Sequence, residues 1–198
     1  MLKKTLLILP LLLTLSHANP KPIIQIGFES GGDELITIDH DYESDYTIKA
    51  GDGFRFELGM AIEDPLGVLE VQFLAGYKFD SDSADNGSIT WSMIPLSALG
   101  FIKIPGWKFG GGLTYHINPE LDGSFRNYNY DDDIKDEFKS ALGGIMQIQY
   151  EPIDAFALGL RATFIDYELK RDNSKTANGN AIGLICTFKF GGKRSRFR

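Results

Sequence analysis

Near the end of the chain, apolar side chains fall at every second position. Ile182, Leu184, Cys186, Phe188 and Phe190 form one unbroken series, interleaved with Gly183, Ile185, Thr187 and Lys189. A period of two predicts a strand whose successive side chains point to opposite faces. One face is wholly apolar and ends in an aromatic ring; the other accepts a lysine. Two settings produce that division: a strand with lipid outside and a polar lumen inside, or a half-buried strand of a water-soluble protein. The remaining segments and the question of export must decide.

Seven earlier segments alternate in the same way. Ile24, Ile26 and Phe28 oppose Gln25, Gly27 and Glu29, and Phe54, Phe56, Leu58, Met60 and Ile62 oppose Arg55, Glu57, Gly59 and Ala61. Leu69, Val71, Phe73, Ala75, Tyr77 and Phe79 oppose Glu70, Gln72, Leu74, Gly76 and Lys78. The stretch 89–101 is the least regular. Trp91, Met93, Leu99 and Phe101 share a face that Pro95 and Ser97 interrupt, and Ile94, Leu96 and Ala98 make the other nearly as apolar. Proline removes a ladder donor, so a bulge or register change is expected near Pro95. Trp107, Phe109, Gly111, Leu113 and Tyr115 then oppose Lys108, Gly110, Gly112, Thr114 and His116. Leu142, Gly144, Met146, Ile148 and Tyr150 oppose Gln147, Gln149 and Glu151, and Phe156, Leu158, Leu160, Ala162 and Phe164 oppose Ala157, Gly159, Arg161 and Thr163.

The connections are by turns long and short. Polar loops are expected after the first, third, fifth and seventh segments, including Asp80 to Ser88 and the acidic stretch Ile117 to Ser140; tight turns such as Glu63-Asp64-Pro65-Leu66-Gly67 follow the others. Each apolar face covers about ten residues, the length a tilted strand needs to cross a bilayer. The pattern predicts an all-β fold, an eight-stranded antiparallel up-and-down transmembrane β-barrel, with Phe56, Phe73, Leu113 and Leu158 outside. Closure removes the sheet edges, which lipid could not satisfy.

Export is readable at the start. Lys3 and Lys4 precede the apolar run Leu6 to Leu15, and Ser16-His17-Ala18 offers small residues for cleavage. The expected organisation is a signal peptide over 1–18, the barrel over 19–190, and a basic tail over 191–198 that hangs into the periplasm. Removing Lys3 and Lys4 from 20 basic residues leaves 18 against 27 acidic ones, a formal charge of −9. That balance speaks against nucleic acid as a partner. Cys186 is the only cysteine, so no internal disulfide forms. On the lipid face it reads as a small apolar residue.

The inward face decides whether such a barrel is a pore. Eight strands leave an interior just wide enough for side chains to fill. The inward candidates are Arg55, Glu57, Glu70, Gln72, Lys78, Lys108, Gln147, Gln149, Glu151 and Arg161, both signs mixed among glycines. Unpaired buried charges would cost several kcal/mol each, so a salt-bridged plug is expected rather than a wide water channel.

Several pieces carry a resemblance: Gly31-Gly32-Asp33, Gly51-Asp52-Gly53, the run Trp107 to His116, Asn118-Pro119-Glu120-Leu121, the run Leu160 to Tyr167, and the strand ending in Phe190. Together they resemble the small outer-membrane β-barrel proteins of Gram-negative bacteria, the group of the OmpX, OmpW and OmpA barrel domains. The resemblance implies insertion by the outer-membrane assembly machinery, which reads the final strand through Ile182, Leu184, Phe188 and Phe190. It also implies outer-membrane lipid and lipopolysaccharide as surroundings and a monomeric protein. The chain departs from the group by continuing past Phe190: either the basic tail hangs into the periplasm, which is the favoured reading, or Phe197 belongs to the signal that is read and the last strand ends later.

Candidate chemistry is sparse. A lipid A-modifying enzyme would need a histidine with a serine and an acid at the outer rim. After processing, His40 and His116 remain, with Ser140 or Asp166 as partners for His116. Asp80 to Gly87 has the outline of a calcium loop, but Ala84 and Trp91 occupy ligand positions. Asp131-Asp132-Asp133 reads as a solvated loop, with loose holding of the divalent cations that bridge lipopolysaccharide as the less favoured alternative. Gly110-Gly111-Gly112 lies within a strand, where it allows bending or close packing. The reading is a non-enzymatic surface protein that uses no cofactor or specific metal. A narrow transport barrel for small apolar molecules, a lipid A-modifying enzyme and a soluble lipocalin-like vessel are the alternatives.

Overall fold

The computed structural model describes residues 20–38, 46–84, 87–127 and 130–191. The expected signal peptide, His40, the tail from residue 192, and part of the calcium-like segment lie outside them, as do the side chains of Asp131 and Asp132.

Thirteen strands form among the described residues: β1 (Lys21–Ser30), β2 (Glu34–Ile38), β3 (Tyr46–Lys49), β4 (Gly53–Glu63), β5 (Leu69–Ala84), β6 (Gly87–Ile104), β7 (Trp107–Asn127), β8 (Tyr130–Glu137), β9 (Ala141–Ile153), β10 (Phe156–Phe164), β11 (Asp166–Glu168), β12 (Thr176–Asn178) and β13 (Ala181–Lys189). Eight of them make the wall, in the cyclic order β1-β4-β5-β6-β7-β9-β10-β13, all antiparallel. The β1–β13 ladder, from Ile23–Lys189 to Ser30–Ile182, joins the first strand to the last and closes the barrel. The short pairs β2–β3 and β11–β12 sit in the connections at the long-loop end.

The alternation points as expected over the wall. Phe56, Phe73, Leu113 and Leu158 are 41%, 48%, 59% and 47% exposed, whereas Arg55 and Arg161 are fully buried and Glu70 nearly so. Cys186 lies on the outward face and is half-buried. One expectation needs correction.

The segments 80–88 and 117–140 are mostly ladder rather than loop. β5 and β6 stay paired out to Ala84–Gly87, and β7 continues to Asn127 and folds back on β8. Hairpins that stand in water carry Ser, Asp and Thr on one face, and a run of polar residues hides the underlying period. Ser81 and Thr90, with oxygens 3.0 Å apart across this ladder, are an instance.

On β6, where the two faces are about equally apolar, the face that carries Trp91, Met93, Leu99 and Phe101 is the buried one, and Ile94, Leu96, Ile102 and Ile104 face outward. The register change expected near Pro95 is present: the β6–β7 ladder shifts between Ser92 and Ile94. The ladder to β5 pauses between the Ala75–Leu96 and Lys78–Met93 pairs and resumes in the same register. The extra residue of this shift lies on β7, between Ile117 and Glu120, where Asn118 adopts φ 46°. Asparagine tolerates that left-handed conformation better than most residues. One inserted residue exchanges the two faces of a strand. Even-numbered residues up to His116 point inward on β7; beyond Asn118 the odd-numbered Leu121 and Gly123 do.

Candidate functional site

The inward faces build an ionic interior in two levels. At the upper level Glu29 of β1 is central. Its carboxylate lies 2.9 Å from the Arg55 guanidinium and 2.8 Å from Lys78 Nζ, and accepts a hydrogen bond from Thr163 Oγ1 at 2.9 Å. Arg55 also lies 3.3 Å from Glu57, which pairs at 3.0 Å with Arg161 from the opposite part of the wall. Arg161 donates to Gln147 at 2.8 Å and also to Gln25. Gln25 and Gln149 both donate to Thr187 Oγ1, at 2.7 and 2.9 Å. Lys78 finds a second acceptor in the Gly51 carbonyl, 2.6 Å away. These links cross six strands, so each charge is held by neighbours distant in sequence.

The lower level lies toward the short-turn end. Lys189 Nζ stands 2.7 Å from both Glu63 and Glu70 and 3.5 Å from Glu151. Lys108 pairs with Glu70 at 2.9 Å and Glu151 at 3.3 Å, and its ammonium lies 5.4 Å from the centre of the Phe101 ring. Lys103 bridges Glu63 at 2.9 Å and Glu151 at 3.2 Å, and Lys21 reaches Glu63 at 2.6 Å. Gln72 donates to Glu70 at 2.5 Å. Buried ions lose hydration that costs several kcal/mol each, so only such multiple pairing makes the arrangement tolerable. Ile23, Ala61, Leu74, Leu99, Phe101 and Ile145 form a buried apolar cluster on the inward faces.

Above the ions the interior changes character. Ile48, Ile89, Trp91, Met93, Leu121, Phe138, Ile165, Tyr167 and Leu169 form a buried apolar cap drawn from wall extensions and connections. Trp91 packs edge-on against Phe138 and Tyr167, with ring centres 5.3 and 5.5 Å away, and its indole N–H donates to the Ala50 carbonyl at 3.0 Å. Outside the wall strands, Tyr46 donates to Asp80 at 3.0 Å, and partial burial with this carboxylate pushes its hydroxyl up to about 12.

The eight residues expected in the lumen network are all drawn into these contacts. Arg55, Glu57, Glu70, Lys78, Lys108, Gln147 and Arg161 are buried, and Glu151 is partly exposed near the mouth. Glu29, Lys189, Gln25 and Thr187 were not among the candidates, although the alternation puts them on the inward face. Glu63, Lys103 and Lys21 fall at strand ends, where a sequence reads as turn. Ile182, Leu184, Phe188 and Phe190 lie on the outside, each more than a third exposed.

The residues weighed for catalysis do not converge. His116 is buried beneath the cap, with Nδ1 2.7 Å from the Tyr167 hydroxyl, and is not a rim residue. Ser140 accepts a weak bond from the Asn118 amide at 3.4 Å, and Asp166 accepts from Asn178 at 2.9 Å. Asp80 to Ala84 is strand. Among the described residues no cluster of three or more histidine, cysteine or acidic side chains could hold a metal ion. A Cβ on Gly110 would run into the Gly100 carbonyl and the Phe101 ring, so this glycine serves close packing.

No protein-family model and no curated protein sequence matches the chain. Solved structures do. The outer membrane protein Ail of Yersinia pestis, the attachment invasion locus protein, crystallised with the heparin analogue sucrose octasulfate, aligns with a TM-score of 0.50 at 12% identity, over 87% of this chain and 99% of that one. Neisserial surface protein A aligns with a TM-score of 0.46 at 11% identity, over 87% and 99%. The N-terminal β-barrel domain of Pseudomonas aeruginosa OprF aligns with a TM-score of 0.39 at 13% identity, over 88% and 100%. The likeness to Ail is one of fold: an eight-stranded antiparallel barrel. The resemblance to small outer-membrane barrels holds at that level.

Proposed function

We propose that the chain is an integral outer-membrane β-barrel, exported through a cleaved signal peptide, whose lumen is sealed and whose activity resides in its acidic surface loops. The observation that carries this reading is the inversion of the wall. Large apolar side chains such as Phe56, Leu58 and Leu113 are 41%, 51% and 59% exposed around it, while Arg55, Lys108 and Arg161 are fully buried within. Water would penalise that outer surface, since soluble monomers rarely expose contiguous apolar patches beyond a few hundred Å²; lipid would favour it.

In this reading outer-membrane lipid surrounds the barrel and lipopolysaccharide borders the long-loop end. The outward Ile182, Leu184, Phe188 and Phe190 form the segment that the assembly machinery reads. The protein acts as a monomer and as a structural or surface-interaction element. Two levels of ion pairs beneath an apolar cap support a sealed interior rather than a transport path.

Two measurements test it. Detergent-refolded protein should migrate differently on gels in sodium dodecyl sulfate before and after boiling, as closed membrane barrels do. In planar bilayers it should give no large, stable conductance. A protein that stays in buffer without detergent, or that opens steady channels, refutes the proposal.

A further inference from the structure

Two glycine runs of the sequence, Gly31-Gly32-Asp33 and Gly51-Asp52-Gly53, flank one element, the β2–β3 pair. Gly32 and Gly53 hold φ 85° and 138°, backbone that other residues avoid. Segments that move as a unit turn on a few such end residues. From Tyr46 to Asp52 the chain lies over the upper level of ions as a strap. Ile48 and Ala50 are buried in the cap. The Ala50 carbonyl accepts the Trp91 indole N–H at 3.0 Å, and the Gly51 carbonyl accepts from Lys78 Nζ at 2.6 Å. The Ala50 and Gly51 amides donate to the Asp33 and Gly31 carbonyls at 2.9 and 3.0 Å. At its other end the strap is tied to the wall by the Tyr46 hydroxyl, which donates to Asp80 Oδ1 at 3.0 Å.

Asp80 is a poorly satisfied anchor. It is 8% exposed, its Oδ2 is buried without a hydrogen-bond partner, and it forms no ion pair among the described residues. Lys78, two residues away on β5, is committed to Glu29 at 2.8 Å and to Gly51. The charged and titratable groups that face Asp80 are Tyr46 of the strap, Asp52 of its turn and Lys78 of its own strand; on β6 it is paired with Trp91. Asp82 acts on Tyr46 from the same strand. Burial, with the Asp52 charge added, holds the Asp80 carboxyl above the ordinary carboxylate value despite the Tyr46 hydrogen bond. Asp80 lies beyond the outward rings of Phe54 and Phe79, whose centres are 6.0 Å apart and suit the upper membrane boundary. It therefore stands outside the segment that crosses the membrane.

We infer that Tyr46 to Asp52 form a pH-operated latch on the upper lumen, closed when Asp80 carries a proton and loosened when that buried carboxyl ionises beside Asp52. This rests on the sealed-lumen reading above. With the strap released, Asp80 is a solvated carboxyl that titrates near its ordinary value of about 4. The closed form binds the proton more tightly, so closure is favoured fully below the ordinary value and weakens as pH rises through the raised one. Release uncovers Trp91 and Lys78, so the loop end presents different surfaces in acid and in neutral surroundings.

Trp91 reports the strap directly, because its indole bonds to Ala50 and the other tryptophan of the chain, Trp107, can be replaced by phenylalanine. In detergent-refolded W107F protein, acrylamide quenching of Trp91 should rise several-fold from about pH 4 to about pH 8. Asp80→Asn on that background should keep quenching low at both pH values, and Tyr46→Phe should raise it in acid. Equal quenching at both pH values overturns the inference, and so does an Asp80→Asn variant that keeps the full rise. If W107F does not refold, hydrogen exchange of the Ala50 and Gly51 amides in the unaltered chain, corrected for the intrinsic rate, decides. Protection lost toward neutral pH supports the latch, and constant protection refutes it. Gel mobility before boiling, followed across the same pH range, separates the two readings. A wall that unfolds near pH 8 sinks the sealed barrel itself, whereas an intact wall under an unmoving strap sinks only the latch.

Discussion

The molecule has two interiors that obey opposite rules. Within the wall, buried positions are Glu29, Arg55, Lys78, Lys108 and Arg161, and the exposed ones are Phe, Leu and Met. Above it, the buried positions are Trp91, Tyr167, Phe138 and Leu169, and the exposed ones are Ser, Asp and Lys. β7 runs through both regions and exchanges its faces at Asn118, so that Leu121 rather than Glu120 enters the cap. The difference is what the proposed membrane setting requires: hydrocarbon outside the wall would send ions inward, and water outside the cap would send them outward. Breaking each interior in turn should show whether they are separate in energy as well as in composition.

The largest effect is expected at Glu29. Changing it to alanine leaves Arg55 and Lys78, both buried, without the carboxylate they share, and removal of one partner from a buried ion pair costs roughly 3–5 kcal/mol. Urea unfolding of the refolded protein in detergent should show that loss for the whole wall. A shift below about 1 kcal/mol would mean that water reaches this level and that the surface-pair range applies there.

Trp91→Ala comes next, at about 3 kcal/mol, near the lower end for a large aromatic removed from a core. Here the damage should stay local. Trypsin should cut the long connections around Lys135, Lys139 and Lys170 much faster, while the unboiled gel mobility of the wall remains. Equal loss of both would show that cap and wall unfold as one unit.

The hinge between the regions should respond less. Asn118 sits at φ 46°, so an alanine there should cost about 1 kcal/mol and a glycine almost nothing. Unfolding midpoints of the two variants measure the contrast. If both lose stability alike, the Asn118 side chain rather than its backbone matters.

The wall was legible in the sequence because each of its two faces keeps one character along its length. A period of two with an apolar outer face on one side and a packed lumen on the other leaves a simple record, and it placed all eight wall strands. The cap was hidden for the opposite reason. Ser81, Asp82, Ser83 and the acidic run near Asp133 look like loop because a hairpin in water has little need of apolar alternation. In β6 the same face holds Trp91 in the cap and Phe101 deep in the lumen, so its apolar residues gave no clue to inside or outside. Membership of the lumen network was readable from alternation. The pairing was not, because Arg161 meets Glu57 across 104 positions of sequence.

The smallest effect lies outside both interiors and serves as their control. Asp64 Oδ1 accepts the amides of Leu69 and Val68 at 2.8 and 2.7 Å, and Oδ2 that of Leu66 at 3.3 Å. These donors, Leu69 first, hold its carboxyl below the ordinary carboxylate value. A depressed folded-state pKa means the contribution is complete above the unfolded value of about 4 and disappears as pH falls through the lower one. Asp64→Ala should therefore be slightly less stable than the unaltered chain at pH 7, with the gap in urea midpoint closing toward pH 2. Glu29→Ala offers the contrast, since its deficit arises inside the sealed wall. A gap at Asp64 that is the same at both pH values would show that the turn depends on the carbonyl-like geometry of the side chain and not on its charge.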